Sequence, residues 1–311
     1  MTLPHLEGGL FLTDGGLGTV LIFHEGLDLP EFAAFPLLDD DAGTEQLRRY
    51  YRPFAQLARE RGLGFVLESP TWRASPRWAT ALGYSVEQLD ALNRKAIALM
   101  EELRSEFADG GPVLISGCIG PQGDGYQPSS TLSAAEAEAY HSTQVGTFAD
   151  TAADLVTALT MTYVDEAIGV ARAATAAGIP VVISYTVETD GRLPSGQALG
   201  DAIAECDAAT EAAPAYYMVN CAHPTHFADV LAGPWTERIG GLRANASMRS
   251  HAELDEAAEL DAGDPADLGA RHGALRGRLP AVTVLGGCCG TDARHVAAIR
   301  NAWPGAQTID S

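Results

Sequence analysis

Five cysteines occur in the chain, at positions 118, 206, 221, 288 and 289. Two are adjacent, in Gly286-Gly287-Cys288-Cys289-Gly290, and a third lies in Asn220-Cys221-Ala222-His223-Pro224. Three thiolates converging on one metal leave a tetrahedral position open. That is the pattern of a catalytic zinc site, whereas structural sites are closed. Thiolates also favour zinc over magnesium or calcium. The open position can take a substrate thiol and hold it as thiolate near neutral pH, the nucleophilic form. Cys221, Cys288 and Cys289 are therefore candidate zinc ligands. Adjacent residues on a regular strand point to opposite sides, so Cys288 and Cys289 can share a metal only where the backbone leaves strand geometry. The flanking glycines make that departure cheap. Two other readings stand beside this one. Cys221 can be a small buried hydrophobe at a strand end, and His223 and His226 are rival ligands. Cys118 has no partner cysteine in its loop, and Cys206 falls in a helical segment and reads as structural. Two carboxylates complete the set. Asp14, in DGGLGT, can bind a substrate amine or serve a turn. Glu68 follows Phe65-Val66-Leu67 directly, so it is either at a site or buried at cost.

These residues need a scaffold that gathers them. Eight short apolar runs recur, at Leu10–Thr13, Phe65–Leu67, Pro112–Ser116, Asp154–Ala158, Pro180–Tyr185, Tyr216–Asn220, Ile239–Arg243 and Val282–Leu285. Continuous apolar runs suit strands buried on both faces, as in a parallel sheet. Between them lie segments with apolar spacing of three and four: Glu45–Arg61, Val86–Phe107, Ala134–Ala153, Val164–Ala177 and Leu199–Ala213. These read as amphipathic helices. Gly178-Ile179-Pro180 stops one helix and starts a strand. The alternation predicts a single (β/α)8 TIM barrel domain spanning 1–311, with a doubly wound open sheet as the alternative. DGGLGT is not a dinucleotide fingerprint, which counts against the open sheet. In a barrel, function belongs where strands end and βα loops begin. Asp14, Glu68, Cys118, Asn220-Cys221 and Cys288-Cys289 all fall there. The acidic stretch Ser250–Asp267 is expected to form an exposed loop and helix.

Composition narrows the partners. Carboxylates outnumber Lys plus Arg by 41 to 20, for a formal net charge of -21. Nucleic acid and anionic membrane surfaces would be repelled, so neither is expected as a partner. The chain holds no apolar run of membrane-spanning length and opens on no basic, apolar leader. An odd cysteine count with an adjacent pair does not fit a disulfide framework. A cytoplasmic, reduced setting is expected.

The motifs also carry a resemblance. DGGLGT at 14–19, ISGCIGPQGDGY at 115–126, ISYTVETDGRLPSGQAL at 183–199, VNCAHP at 219–224 and GGCCGTDARHV at 286–296 together resemble the homocysteine S-methyltransferases. The likeness runs along nearly the whole chain. It implies a (β/α)8 barrel, zinc on Cys221, Cys288 and Cys289, and homocysteine thiolate as fourth ligand. It implies a small-molecule thiol acceptor and a small-molecule methyl donor, with methyl passing directly to sulfur and no protein nucleophile. Asp14 would match the family carboxylate near the acceptor amine. Gly15, Gly16 and Asn220, beside it and beside the first thiol, are further candidate substrate-binding residues. Two departures bear on specificity. Where the family has Ala-Asp-x-x-x-x-Glu-Thr in its fourth strand segment, this chain has Leu159 in the Glu position, and Glu68 appears on the second strand instead. Glu68 is accordingly expected to supply the missing charge. The segment RANASM at 243–248 also departs from the family's Pro-Asn-Ser-Gly. Trp72, Trp78 and Tyr126 are candidates for an aromatic wall facing a cationic donor. The expected activity is zinc-dependent methylation of homocysteine to methionine from S-methylmethionine or S-adenosylmethionine. Its alternatives are a different thiol or selenol acceptor, and a zinc- or thiol-binding barrel without turnover.

Overall fold

In the computed structural model the described residues are 3–127, 131–257 and 259–303. Eight parallel strands close into a barrel in sequence order. They are β1 (Phe11–Leu12), β2 (Gly64–Glu68), β3 (Val113–Ile119), β4 (Leu155–Met161), β5 (Val181–Tyr185), β6 (Tyr217–Asn220), β7 (Ile239–Ala244) and β8 (Val284–Gly287). The ring is sealed where Phe11 and Leu12 pair with Val284 and Leu285. All eight apolar runs are strands, and the open-sheet alternative falls. The outer ring comprises α1 (Asp41–Glu60), α2 (Val86–Glu106), α3 (Ala134–Ala149), α4 (Val164–Ala177), α5 (Leu199–Thr210), the short α6 (Pro224–Phe227), α7 (Pro265–Leu275) and α8 (Ala293–Ala302). Local chemistry sets several helix ends. Ser85 with Gln88 and Ser133 with Glu136 form reciprocal caps at the starts of α2 and α3. Gly178, at φ 73°, ends α4 in the left-handed region.

Two apolar clusters hold the barrel. The larger lies between the strands and the helices, with Leu12, Phe65, Ile115, Val156, Ile183, Val219 and Leu285 on the strand side. The smaller draws Phe11, Val66, Leu114, Leu155, Val182, Met218 and Val284 from seven of the eight strands. It is the layered filling of the barrel interior. β7 places Gly241 there instead, and a Cβ on it would stand 2.9 Å from Met218 Cγ. The layer above is polar: Asp14, Glu68, Ser116, Thr157, Ser184, Asn220 and Arg243 are all buried. Among the described residues no helix is long and apolar enough to cross a membrane.

Candidate active site

A cavity of about 460 Å³ opens at the C-terminal ends of the strands. Asp14, Gly15, Gly16, Glu68, Asn220, Cys221, Cys288 and Cys289 all line it. The three thiol sulfurs lie within 4.8 Å of one another, with Cys221 and Cys289 at 3.5 Å. Tetrahedral zinc with sulfurs at about 2.3 Å separates those sulfurs by about 3.7 Å. The donor set and its spacing therefore fit zinc. His223 and His226 are not in the cluster. His223 Nδ1 bonds Thr225 Oγ1 at 2.8 Å, and His226 Nε2 donates to the Met248 carbonyl at 2.9 Å.

Backbone geometry explains how three cysteines from two loops converge. β8 ends at Gly287, so Cys288 and Cys289 lie in a turn beyond it, closed by Thr291 N–H donating to the Cys288 carbonyl at 3.1 Å. Gly290 takes φ 78° there. Cys221 itself has φ 55°, which is uncommon for a residue with a Cβ. Such a conformation persists only when its surroundings fix it. Here the Cys221 carbonyl accepts from Asn245 Nδ2 at 3.0 Å, His251 Nε2 at 2.7 Å and Thr186 Oγ1 at 3.4 Å. Gly15 and Gly16 serve close approach. A Cβ on Gly15 would stand 2.7 Å from the Thr291 carbonyl, and one on Gly16 2.6 Å from the Cys288 carbonyl. Gly16 N–H is already given to Thr291 O at 3.0 Å. Both glycines press the first loop against the thiol turn.

Asn220 is similarly committed. Its Oδ1 accepts from Thr160 N–H at 2.8 Å and Ser184 Oγ–H at 2.6 Å, and its Nδ2 donates to Thr160 Oγ1 at 2.8 Å. Nδ2 also lies 3.9 Å from Cys288 Sγ. This holds Thr160 at φ 64°, at the point where the β4–β5 register shifts. Leu159, in the same irregularity, faces the cavity with an apolar side chain.

Beneath the thiols lies a buried charged set that sequence reading catches only in part. Arg243 NH2 donates to Asp14 Oδ1 at 2.6 Å, and its Nε donates to the Gly287 carbonyl at 3.1 Å. NH1 stands 3.9 Å from Glu68 Oε1. Tyr50 OH donates to Asp14 Oδ2 at 2.8 Å. Both Asp14 oxygens are thus engaged by protein partners, whereas Glu68 Oε2 and Arg243 NH1 have no hydrogen-bond partner among the described residues. Burial raises both carboxyls, against the pull of Arg243, and pushes Glu68 up to about 7. One thiol of the cluster ionises first. Cys288 is held well below the usual thiol range by hydrogen bonds from Cys221 and Cys289, with Arg243 adding attraction.

Tyr126 reaches over this cluster. Its hydroxyl stands 3.1 Å from Cys221 Sγ and 3.6 Å from Cys289 Sγ. Its ring stacks on His251 at 4.2 Å, and His251 pairs with Glu188 at 3.2 Å. Of the expected aromatic wall, Trp72 and Tyr126 line the cavity and Trp78 does not. Cys118 is buried in β3 and Cys206 in α5. The acidic stretch after β7 departs from expectation. Leu254, Asp255, Ala257, Glu259, Leu260 and Asp261 form part of the cavity wall rather than a purely solvated face. Its apolar residues at 254, 257 and 260, spaced by three, are the signal that charge count obscures. Arg243 and Arg73 likewise do not stand out by residue type, although both are buried cations lining the cavity.

Comparison with known proteins agrees with this architecture. The family model described as homocysteine S-methyltransferase matches residues 11–303. Two solved structures of the homocysteine methyltransferase MmuM from Escherichia coli are similar in fold. The oxidised form has 21% identity and a TM-score of 0.73, covering 94% of this chain and 95% of that one. The metallated form has 21% identity and a TM-score of 0.70, covering 94% and 96%. No curated protein matches the sequence.

Proposed function

Because the chain belongs to the homocysteine S-methyltransferase family, we propose that it is a zinc-dependent enzyme that methylates homocysteine to methionine with a sulfonium donor, S-methylmethionine or S-adenosylmethionine. The observation that carries this reading is the convergence of three thiols from β6 and β8 at one cavity, with spacing that fits zinc. Zinc held by Cys221, Cys288 and Cys289 would keep the acceptor sulfur as thiolate near neutral pH. The acceptor sulfur attacks the donor's methyl carbon. The new C–S bond forms as the old one breaks, and its electron pair returns to the donor sulfur, leaving a neutral thioether. The chain's part is alignment, which converts an encounter of two solutes into reaction of a positioned pair.

Residue roles follow from their commitments. Asp14 holds Arg243 in place, and Gly15 and Gly16 let the first loop pack on the thiol turn. Asn220 fixes the end of β4 beside Cys288. Glu68 is the carboxylate with an uncommitted oxygen, so it is the partner for the acceptor's ammonium. The free thiols suit a reducing compartment, the cytoplasm. A second reading, a thiol or selenol other than homocysteine, is favoured by Leu159, which puts an apolar wall on the cavity.

The test is metal content with product formation. Wild type and Cys288→Ala are assayed with homocysteine and other thiols, each with S-methylmethionine, S-adenosylmethionine and betaine offered separately. About one zinc per chain, methionine from one donor, and loss of both in the variant support the reading. Zinc with turnover on another thiol selects the second. Zinc and thiol binding without product selects a binding barrel. No zinc under reducing, metal-replete conditions sinks the mechanism.

A further inference from the structure

A second guanidinium lines the same cavity, and its surroundings differ from those of Arg243. Arg73 follows β2 and is 6% exposed. Its segment is tied down on several sides. Thr71 Oγ1 donates to the Cys118 carbonyl at 2.7 Å, Gln144 Nε2 donates to the Thr71 carbonyl at 3.1 Å, and Asn93 Nδ2 donates to the Ala74 carbonyl at 3.1 Å. The guanidinium is clamped between two indoles, 4.2 Å from the ring centroid of Trp72 and 3.7 Å from that of Trp78. Each indole is itself fixed. Trp72 Nε1 donates to the Leu159 carbonyl at 3.3 Å, and Trp78 Nε1 donates to the Pro121 carbonyl at 3.4 Å.

Within this clamp, among the described residues, Arg73 makes one hydrogen bond, from NH1 to the Gly123 carbonyl at 2.8 Å, and its buried Nε has no partner. Among the described residues no carboxylate oxygen comes within 4.0 Å of it, whereas Arg243 has both Asp14 and Glu68. Buried charges are ordinarily paired. Asp124 and Glu31 attract it from longer range, but a buried guanidinium with no carboxylate in direct contact leaves room for a ligand's. Cation–π contacts offset part of the burial cost, but they use the faces of the group and leave its N–H edge unspent. Burial pushes Arg73 down only to about 10, so it stays charged at neutral pH.

We propose that Arg73 is a specificity-determining residue that anchors a carboxylate on the methyl donor. This rests on the methyl-transfer reading and assigns a partner to the carboxylate that S-methylmethionine and S-adenosylmethionine both carry. Held by its faces, the guanidinium keeps N–H groups beyond the one given to Gly123, and these can donate to a carboxylate. Arg243 also has a spare nitrogen, NH1, but that atom stands 3.9 Å from Glu68 and its guanidinium is salt-bridged to Asp14, whereas Arg73 has no carboxylate in contact among the described residues. Its position selects the donor over the acceptor. In an in-line transfer the donor lies beyond the acceptor sulfur, away from the thiols and toward the mouth. Arg73 sits with the mouth elements: Trp72, the Phe32 ring edge-on to it at 6.4 Å, and the exposed loop residue Asp124. Aromatic surface and a carboxylate there suit the donor's cationic centre.

Calorimetric binding to zinc-loaded protein tests this without turnover, since each substrate is offered alone. The probes are S-methylmethionine, S-adenosylmethionine, (3-aminopropyl)dimethylsulfonium, which lacks the carboxylate, and homocysteine. Arg73→Gln is expected to weaken the carboxylate-bearing donor that wild type binds on the order of 10- to 100-fold, as for a lost charge-assisted hydrogen bond. It leaves the carboxylate-free sulfonium and homocysteine unchanged, and unchanged homocysteine binding also reports that the variant is folded. Arg73→Lys keeps the charge without the fork and falls between. Equal affinity for that donor in wild type and Arg73→Gln overturns the proposal. So does loss of homocysteine affinity in a variant of wild-type thermal stability, which would give Arg73 to the acceptor. Failure of wild type to bind either S-methylmethionine or S-adenosylmethionine while it binds zinc and homocysteine also overturns it, and leaves the acceptor side of the methyl-transfer reading standing. Failure to bind zinc or homocysteine defeats that reading itself.

Discussion

Replacing Glu68 with Gln isolates the electrostatics of the cavity floor. Glu68 is buried beside Arg243, and its carboxyl is pushed from an ordinary 4.5 up to about 7. At about 1.4 kcal/mol per tenfold change, the folded protein disfavours the ionised form by about 3 kcal/mol relative to the unfolded chain. The direction follows from proton counts. Below pH 4.5 the group is neutral in both states and costs nothing. Between 4.5 and about 7 the unfolded chain sheds the proton and the folded one keeps it, so stability falls as pH rises. Above about 7 the loss levels off. The amide of the Glu68→Gln variant has no such proton. Denaturant unfolding of wild type and Glu68→Gln, in chelator and reductant from pH 5 to pH 8, is expected to show the variant gaining most of those 3 kcal/mol on wild type. A stability difference that is the same at both ends refutes the reasoning, because it means that Arg243 cancels the burial cost. The same ionisation governs the acceptor. Homocysteine affinity of wild type is expected to climb relative to the variant as pH rises through about 7, since the ammonium needs a charged partner.

Asn220→Ala would leave the Thr160 amide and the Ser184 hydroxyl buried without their shared acceptor. The expected loss is roughly 1–3 kcal/mol of stability, together with weaker zinc binding, read by unfolding and by competition with a chromogenic chelator. Zinc affinity itself is expected to increase with pH. One thiol of the cluster ionises readily, and the others must shed protons to bind. Calorimetry in buffers of different ionisation enthalpy should therefore count about two protons released per zinc.

The eight strands were legible because strands buried on both faces have little choice but to be apolar, and their order follows from short right-handed crossovers. The ends were less so. β3 continues through Gly117 and Cys118 to Ile119, and β4 through Leu159 and Thr160 to Met161, past the point where apolar character breaks. The thiol cluster was legible from glycines flanking adjacent cysteines, because geometry forces a turn there. Arg243 was not, since an Arg in an apolar strand is intelligible only once Asp14, 229 positions away, is its neighbour. Asn220 looked like a substrate contact from its place beside Cys221. Its partners at Thr160 and Ser184 lie on other strands, and no local spacing announces them. The Leu254, Ala257 and Leu260 wall was hidden by the acidic residues around it.

Barrel closure has a consequence for how the protein acquires its chemistry. The β1–β8 pairing joins the first strand to the last, and Cys288 and Cys289 follow that last strand. A nascent chain carrying everything through Cys221 would hold only one of the three sulfurs. Long-range parallel pairing is slow to form, so metal capture and completion of the ring become one event. Zinc uptake during refolding should then report the final pairing step, and arrested chains lacking the last strand should remain metal-free however much of the barrel they have built.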